Sequence, residues 1–304
     1  DLGFFDGRLN IGGDFYYKKT TDLLYNVAIP SASGYDSMLK NIGSVQNKGY
    51  ELSIESDNLS GAFSWTTAFN ISFNRNKVLE LGGETYKDVG TYDDHLKTSD
   101  IRRLIVGQPI GVFYGYRFDG IFQNEAECAQ QTSSPSPIGV GLRRYKDLNG
   151  DGKIDATNDR EILGDANPKF FGGMTNTFAY KGFELNVFLQ YSYGNKIFNY
   201  NAMELESPTG QNVYQDLVNR WTPTNPSNEY QKATTNRNNI VSDRFIEDGS
   251  FLKLKTVSLS YSFPKLNWKH LGGLRLYVTG QNLLTWTKYR GYDPEVSYRG
   301  ASTL

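Results

Sequence analysis

A short acidic stretch, KDLNGDGKIDATNDREILGD from Lys146 to Asp165, has the residue types and the spacing of a calcium loop. Asp147, Asn149 and Asp151 occupy every second position, and Gly152 follows them, as in the first half of an EF-hand loop. Calcium takes about six to eight oxygen ligands, which such a loop supplies from positions 1, 3 and 5 and from the carbonyl at position 7. The stretch therefore predicts a structural calcium site.

The second half of this loop departs from the EF-hand pattern. Position 12, which holds a bidentate carboxylate in an EF-hand, is Asn158, and Asp159 follows one residue later. We expect a bulge to absorb the extra residue, so that Asp159 closes the ligand shell. The predicted ligands are Asp147, Asn149, Asp151, the carbonyl of Lys153, Asp155 through water, and Asp159. The alternative is a surface loop rich in Asx turns that needs no metal.

The sequence contains few residue patterns that are typical of an enzyme active site. The two histidines, His95 and His270, have no partner spacing typical of a metal pair or a catalytic triad, and Cys128 is the single cysteine, so neither a disulfide framework nor a cysteine-based zinc site is predicted. No G-x-G-x-x-G or P-loop motif occurs. We predict that the chain is not an enzyme. The arginine doublets Arg102–Arg103 and Arg143–Arg144 are interpreted as solvated loop charges.

The composition favours strands and excludes two classes of protein. Aromatic residues make up 14% of 304 residues, with 21 Tyr and 18 Phe alongside 31 Gly, which is typical of strands and tight turns. The 32 basic and 33 acidic residues are scattered, which argues against a nucleic-acid partner. No apolar run approaches the roughly 18 residues of a transmembrane helix. A transmembrane barrel remains possible, because its strands alternate lipid-facing and lumen-facing residues.

Six segments alternate apolar and polar residues with the period of two that predicts one-sided strands. The clearest places Phe63, Trp65, Phe69 and Ile71 opposite polar neighbours. The segments are RLNIGGDFYYK, KGYELSIESDN, AFSWTTAFNISFNRN, KFFGGMTNTFAYKGFELNVFLQYSYGN (a hairpin), KLKTVSLSYSFP and GLRLYVTGQN. VGQPIGVFYGYRFDGIF adds an aromatic segment, and NVYQDLVNRW predicts a short helix in a loop.

The connections between these segments alternate between short and long. The short links are Asp57 to Gly61, Lys181 to Gly182 and PKLNWKHLGG after Phe263. The long ones run roughly from Leu79 to Pro168 and from Asn199 to Phe245, with a shorter one before Ser44. Outer-membrane barrels have short periplasmic turns and long extracellular loops. We therefore favour an all-β transmembrane antiparallel barrel over a soluble β-sandwich, which would have to enclose this many aromatic residues in one core.

Several segments, in order along nearly the whole chain, resemble one family. They are VGQPIGVFYGYRFDGIFQ, DLNGDGKID followed by LGDANPKFFGGMTNTFAYKGFELNVFLQYSYGNKIFN, NRWTPTNPSNEY, DGSFLKLKTVSLSYSFP and LRLYVTGQNLLTWTKYRGYDPE. This set is similar to the C-terminal barrel half of SusC/RagA-type TonB-dependent transporters of the Bacteroidetes outer membrane. The resemblance implies a plugged barrel of about 22 strands.

The resemblance also implies a function and partners. Family members import glycan or peptide fragments, carry a SusD-type lipoprotein lid on the outer face, take energy through TonB and do no chemistry on their cargo. Residues 1–304 would form the C-terminal portion of the barrel, and the plug, the TonB box and the N-terminal barrel strands are expected to lie outside this chain. The alternative is a non-transporting outer-membrane or secreted binding protein with a calcium-stiffened loop.

Aromatic residues in the connections are the candidates for contact with cargo, because tyrosine and tryptophan rings stack well on sugar rings and peptide side chains. An alternative role is the aromatic girdle that marks both membrane interfaces of such barrels. The predicted cargo-contacting residues are Tyr86, Tyr92, Trp221, Tyr230, Tyr289 and Tyr292.

Overall fold

The structure, a computed structural model, describes residues 1–28, 37–89, 101–206, 212–235, 240–263 and 272–295. Strands dominate this part of the chain. Its helices are short, namely α1 (Glu125–Cys128), α2 (Tyr200–Leu205) and the 3-10 helices Gln215–Asn219 and Asp243–Phe245. None of the helices in these ranges is long and apolar enough to cross a membrane. The short helix predicted within NVYQDLVNRW is the first of the two 3-10 helices.

The largest element is an eight-stranded antiparallel sheet, which we call the wall sheet. Its strands, in the order in which they pair, are β1 (Leu2–Phe4), β2 (Leu9–Ala28), β3 (Ser37–Leu59), β4 (Phe63–Leu81), β11 (Phe170–Tyr180), β12 (Phe183–Tyr193), β15 (Phe251–Phe263) and β16 (Leu274–Thr287). All six segments with period-two alternation lie in this sheet, so their prediction as strands is confirmed. The remaining described strands belong to the long connections.

A tight turn joins β11 to β12. Lys181 and Gly182 both have positive φ, 45° and 87°, the combination that a two-residue type I′ turn requires. Because this turn matches the twist of the flanking strands, all 11 residues of β11 pair with β12. The predicted hairpin is confirmed.

The two faces of the wall sheet differ in chemistry. One lateral row, followed from strand to strand, is entirely apolar, and the next row, on the opposite face, is small or polar. The apolar row is Ile11, Ile54, Phe69, Met174, Leu189, Leu254 and Leu284, and the polar row is Gly12, Ser53, Asn70, Gly173, Gln190, Lys253 and Thr285. This separation is typical of a barrel wall with lipid outside and a polar lumen.

The apolar face carries large exposed side chains. Phe15 is 62% exposed, Tyr50 63% and Leu276 57%. A sandwich would cover these side chains with a second sheet, whereas lipid covers them on the outside of a barrel. Among the described strands, β1 pairs only with β2 and β16 only with β15. The fold is therefore an all-β membrane-barrel wall, as predicted.

The described parts of the two long connections, within residues 82–169 and 194–250, fold together into what we call the loop body. It contains a sheet in the order β10 (Arg160–Asp165), β7 (Val112–Tyr116), β6 (Arg102–Ile105) and β5 (Tyr86–Val89), and two strand pairs, β8 (Phe118–Ile121) with β9 (Arg143–Tyr145) and β13 (Lys196–Phe198) with β14 (Ile246–Asp248). The aromatic segment VGQPIGVFYGYRFDGIF thus forms β7 and β8 of the loop body.

A small apolar core holds the loop body together. Ile101 and Phe113 come from the first connection, and Ala202, Met203 and Phe245 come from the second; each is at most 5% exposed. Because both connections contribute, neither can fold this way without the other. The loop body stands at one end of the wall sheet, the extracellular end if long connections lie outside the cell as in other outer-membrane barrels.

Candidate functional site

A cleft forms where the loop body meets the end of β16. The chain leaves β16 at Thr287 and turns back against α2 and the segment before the first 3-10 helix. The cleft is lined by Asn201, Leu205, Tyr214, Arg290, Gly291 and Tyr292. Tyr292 is 94% exposed, whereas Tyr214 is half-buried. The lining thus combines two tyrosine rings with one guanidinium, groups that suit a polar ligand with a flat face.

Two carboxylates of the loop body hold Arg290 in place. Its Nε and its backbone N–H donate to the Glu247 carboxylate, both at 2.9 Å, and its NH1 lies 3.5 Å from Glu206. Burial lowers the pKa of Arg290, but the hydrogen bond and the negative charge of Glu247 outweigh it and hold that pKa above its ordinary value. The guanidinium is a fixed, permanent cation.

Tyr289 supports the cleft from below. A Cβ on Gly291 would lie 2.3 Å from Cζ of the Tyr289 ring, so only glycine allows the chain to pass over this ring. Burial raises the pKa of Tyr289, and the charge of Glu247 and the Tyr214 phenol raise it further. Of the two predicted cargo residues in this segment, Tyr292 reaches solvent, whereas Tyr289 is half-buried against the backbone at Gly291.

The other predicted aromatic residues lie in the loop body and have structural partners. The Arg103 guanidinium lies 4.0 Å from the centre of the Tyr86 ring. Trp221 donates to Gln123 Oε1 at 3.0 Å, and Tyr230 is 8% exposed. Tyr92 is outside the described residues. Tyr289 and Tyr292 thus flank Arg290 in the segment that borders the cleft, and the charge effect of Tyr230 also reaches Arg290.

The interpretation of the arginine doublets as solvated charges is wrong for two of the four residues. Arg103 is 8% exposed and Arg143 is 1% exposed. Arg103 forms a two-pronged ion pair with Asp88, at 2.5 and 2.9 Å, between the rings of Tyr86 and Tyr114. The doublets lie on strands β6 and β9, where alternate side chains point to opposite faces, so one arginine of each pair points into the loop body.

Buried Glu206 connects four segments. Its Oε2 is 2.7 Å from Arg244 Nε and 3.5 Å from Arg143 NH2, and its Oε1 faces Arg290. Glu206 is 1% exposed. These contacts tie β9, the end of α2, the second 3-10 helix and the segment after β16 to one carboxylate. The contacts therefore fix one wall of the cleft.

In the acidic loop, side-chain oxygens of the first predicted ligands accept hydrogen bonds from nearby backbone N–H groups. Asp147 accepts from Gly150 and Gly152 at 2.6 and 2.7 Å, Asn149 accepts from Asp151 at 3.2 Å, and Asp151 accepts from Lys153 at 2.8 Å. Gly150 and Gly152 both have a φ of 77°, which favours glycine. The pattern DxNGDGK thus builds a series of Asx turns.

At the end of the acidic loop, the buried carboxylate of Asp159 accepts hydrogen bonds from the loop backbone. Asp159 is fully buried, and its carboxylate accepts from the N–H groups of Leu148 and Asp155, both at 2.8 Å. Asp155 instead accepts from Thr157 and Asn158, and these backbone hydrogen bonds lower its pKa. Across the described ranges, no three acidic, histidine or cysteine side chains are grouped to hold a metal ion.

A second acidic segment meets the polar face of the wall sheet. Lys253 of β15 is 2% exposed, and its Nζ lies 2.7 Å from Asp293 and 2.5 Å from Glu295. Glu295 also reaches Lys255 at 2.9 Å and Gln190 at 3.0 Å. The segment 288–295, which we call the return segment, is thereby fastened to the inner wall.

Sequence reasoning missed several residues of the site. Tyr214 lies within the predicted short helix segment, and Glu206 and Lys253 give no local signal, because their partners are many residues away. His95 and His270 lie outside the described residues. Cys128 is buried, and burial raises the pKa of its thiol.

The known proteins to which this chain is similar in sequence are TonB-dependent receptors. No family model matches the chain. The chain is 41% identical over 304 residues to TonB-dependent receptor P3 of Formosa agariphila, covering 98% of this chain and 30% of that protein. It is 29% identical to TonB-dependent receptor SusC of Bacteroides thetaiotaomicron, covering 97% of this chain and 29% of SusC.

Solved structures agree with these relatives. The RagAB peptide transporter matches with a TM-score of 0.78 and 26% identity, over 96% of this chain and 31% of the matched chain. The present chain thus spans about 30% of the length of the relatives that it matches. Sequence along nearly the whole chain and the fold lead to the same assignment. The chain belongs to the SusC/RagA family of TonB-dependent receptors and contributes to an outer-membrane β-barrel.

Proposed function

We propose that this chain forms part of the barrel wall and the extracellular loops of a transporter that imports glycan or peptide fragments by a TonB-dependent mechanism. The observation that carries the proposal is the combination of a two-faced wall sheet with a cleft at its loop-bearing end. An apolar outer face suits a membrane, and a polar inner face suits a passage for hydrophilic cargo.

In this proposal Tyr292 stacks on a sugar ring or a peptide side chain, and Tyr214 forms the opposite wall. Arg290, fixed by Glu247, presents hydrogen-bond donors to cargo oxygens. The proposed role of the cleft includes no step in which a covalent bond of the cargo breaks or forms. The protein therefore binds and passes its cargo without acting as an enzyme.

The proposed partners follow from the family. A SusD-like lipoprotein would cover the extracellular side, where the loop body lies. TonB would act through a plug and a TonB box outside residues 1–304, with this chain as the C-terminal portion of the barrel. The RagAB transporter, which carries peptides, and SusC support both proposals by their similarity to this chain.

An uptake assay tests the proposal. Cells that carry the full-length transporter and its lipoprotein are given labelled oligosaccharides and oligopeptides, with and without functional TonB. Tyr292→Ala is expected to raise the half-saturating cargo concentration about three- to tenfold, because it removes one ring contact. Tyr17→Ala, on the apolar face and 59% exposed, is the matched control. Cargo binding without any TonB-dependent uptake would favour the alternative of a non-transporting binding protein.

We also propose that the acidic loop binds calcium through Asp147, Asn149, Asp151 and the carbonyl of Lys153, with Asp155 and Asp159 completing the site. Hard oxygen donors of this kind are those that calcium prefers. The Asx turns already hold the three side chains within one bend, which supports the assignment. Bound calcium would stiffen the loop.

Cleavage by trypsin after exposed Lys153 measures that stiffening. Calcium is expected to slow the cleavage and a chelator to restore it, and the Asp147→Asn and Asp151→Asn double variant is expected to abolish the difference. Asp216→Asn, an exposed aspartate of the loop body, controls for the loss of charge alone. Equal cleavage rates with calcium and with chelator would show that the loop holds no functional ion.

A further inference from the structure

A groove opens on the apolar face of the wall sheet at its extracellular end. Its volume is about 600 Å³, and its lining includes the apolar side chains of Tyr191, Tyr193, Leu252 and Trp286. Leu252 is 40% exposed, Tyr193 50% and Trp286 51%. The volume lies in the range of about 300–1,000 Å³ that ligand sites occupy.

The groove exists because two tyrosines lean away from it. Tyr191 bends over Gly172 and donates its hydroxyl to the Asn70 carbonyl at 2.8 Å, and a Cβ on Gly172 would lie 2.7 Å from that hydroxyl. Tyr193 stacks on Phe170 with ring centres 5.0 Å apart. Both rings therefore lie over β11. Neither ring covers Leu252 on β15, so the space from Leu252 to Trp286 on β16 is open.

At the opposite end of the same strands, aromatic rings meet across the gap. There the rings of Phe183 and Tyr261 meet across β12 and β15 with centres 4.5 Å apart, and Tyr261 contacts Phe263 at 4.7 Å. Aromatic rings thus bridge β12 and β15 at that rim, whereas at the extracellular rim Tyr193 turns toward Phe170 instead. The groove is a specific feature of the extracellular rim.

Polar groups form the upper edge of the groove. Lys288 lines it together with Asp248 and Ser250. Lys196 pairs with Asp248 across β13 and β14. Hydrogen bonds from Ser250 lower the pKa of Asp248, as do the positive charges of Lys196 and Lys288. Lys196 does not itself line the groove, but its charge reaches Asp248 as that of Lys288 does. These three side chains together carry a net positive charge at the polar edge of the groove.

We propose that this groove binds an anionic, phosphate-bearing lipid of the outer leaflet, with an acyl chain over Leu252 between Tyr193 and Trp286 and the phosphate at Lys288 and Lys196. The apolar floor faces the membrane and the lysines stand at its extracellular edge, which is the order of chain and headgroup in an outer-leaflet lipid. A free anion would use the lysines but not the floor. The site depends on the membrane location of the wall sheet and not on transport, so it can hold or fail independently of the proposed import.

Native mass spectrometry of the detergent-solubilised full-length protein tests this site. Phosphatidylglycerol and phosphatidylcholine with the same acyl chains are titrated separately. Replacing Lys288 and Lys196 by glutamine is expected to weaken phosphatidylglycerol binding by about fivefold for each lysine and to leave phosphatidylcholine binding nearly unchanged. Leu252→Trp, which fills the groove, is expected to weaken binding of phosphatidylglycerol with both lysines intact.

The control is Lys181→Gln at the opposite rim, where the lysine lies 5.2 Å from the centre of the Tyr180 ring. This variant is expected to bind phosphatidylglycerol as the unchanged protein does. The proposal is overturned if the lysine variants bind phosphatidylglycerol normally, if Lys181→Gln weakens binding equally, or if Leu252→Trp has no effect. Inorganic phosphate is expected not to displace the lipid; full displacement would indicate a simple anion site. Circular dichroism verifies that each variant is folded.

Discussion

At the scale of single residues, Glu206 links three arginines beside the cleft. It is 1% exposed, and its carboxylate faces the guanidinium groups of Arg143, Arg244 and Arg290. Taking such charges out of water is costly, so the cluster adds little net stability when complete. Removing one member of the cluster is strongly destabilising, because the remaining charges stay buried without a partner of opposite charge.

We therefore expect Glu206→Gln to destabilise the loop body by about 3–5 kcal/mol. Arg244 would lose its 2.7 Å partner, and the wall of the cleft beside Arg290 would loosen. Protease susceptibility of residues 194–250 measures the effect. Glu229→Gln, which removes an exposed carboxylate from the same connection, should leave the cleavage rate unchanged. If both variants resist protease equally, the cluster does not hold the loop body.

Asp159 gives a second prediction at this scale. Asp159→Ala removes the acceptor of two backbone N–H groups, those of Leu148 and Asp155, and each buried donor left unsatisfied costs about 1–3 kcal/mol. Amide exchange at Leu148 and Asp155 is expected to accelerate even in a chelator, because these bonds need no metal. Asp216→Ala serves as the control. Unchanged exchange at both amides would contradict the closing role of Asp159.

These two carboxylates differ in how well the sequence predicts their surroundings. The Asx pattern from Asp147 to Asp159 is visible in the sequence because each hydrogen bond spans a few residues. Arg143 and Glu206 are 63 positions apart, and nothing near either one indicates burial. Charge in a sequence predicts a solvated side chain only when no distant partner is brought beside it by the fold.

At the scale of elements, the return segment is held by β15. Burial raises the pKa values of Asp293 and Glu295, but hydrogen bonds from Lys253, and from Lys255 to Glu295, outweigh it and hold both pKa values below their ordinary range. A carboxylate with a lowered folded pKa stabilises the attached state above its unfolded pKa of about 4. The stabilisation is lost as pH falls through the folded pKa.

The return segment is therefore expected to detach at acidic pH. A spin label on a cysteine replacing exposed Tyr292 should be immobile at pH 7 and become mobile below about pH 4. Lys253→Met should mobilise the label already at pH 7. In contrast, Lys87→Met in the loop body should have no effect on it. A label whose mobility is the same at pH 7 and pH 3 in the unsubstituted background would contradict the clamp.

Long strands with a regular alternation of apolar and polar residues were predictable from the sequence, and short strands were not. The wall strands extend over 11 to 23 residues, with the exception of β1, so their period of two is unmistakable. β6 and β9 have four and three residues, too few for a period to be recognised, and their pairing depends on contacts between two distant connections. The sequence pattern therefore predicted the wall and described the loop body only as long loops.

At the scale of the whole molecule, the wall sheet combines an exposed apolar face with two edge strands. Val278 is 77% exposed and Leu276 57%, and β1 and β16 each have one described neighbour. Apolar patches of this kind and unpaired strand edges both drive association in water. Lipid and further strands remove both liabilities in a closed barrel.

The 304-residue chain produced by itself is therefore expected to associate in aqueous buffer and to be dispersed by detergent. Light scattering after size-exclusion chromatography, with and without detergent, measures the mass. The same physics distinguishes the two architectures that the alternation of residues allowed, because a β-sandwich buries its apolar face within one molecule and needs no detergent. A monodisperse monomer in plain buffer would show that something within this chain covers Tyr50, Leu276 and Val278, and the wall sheet could then not face lipid.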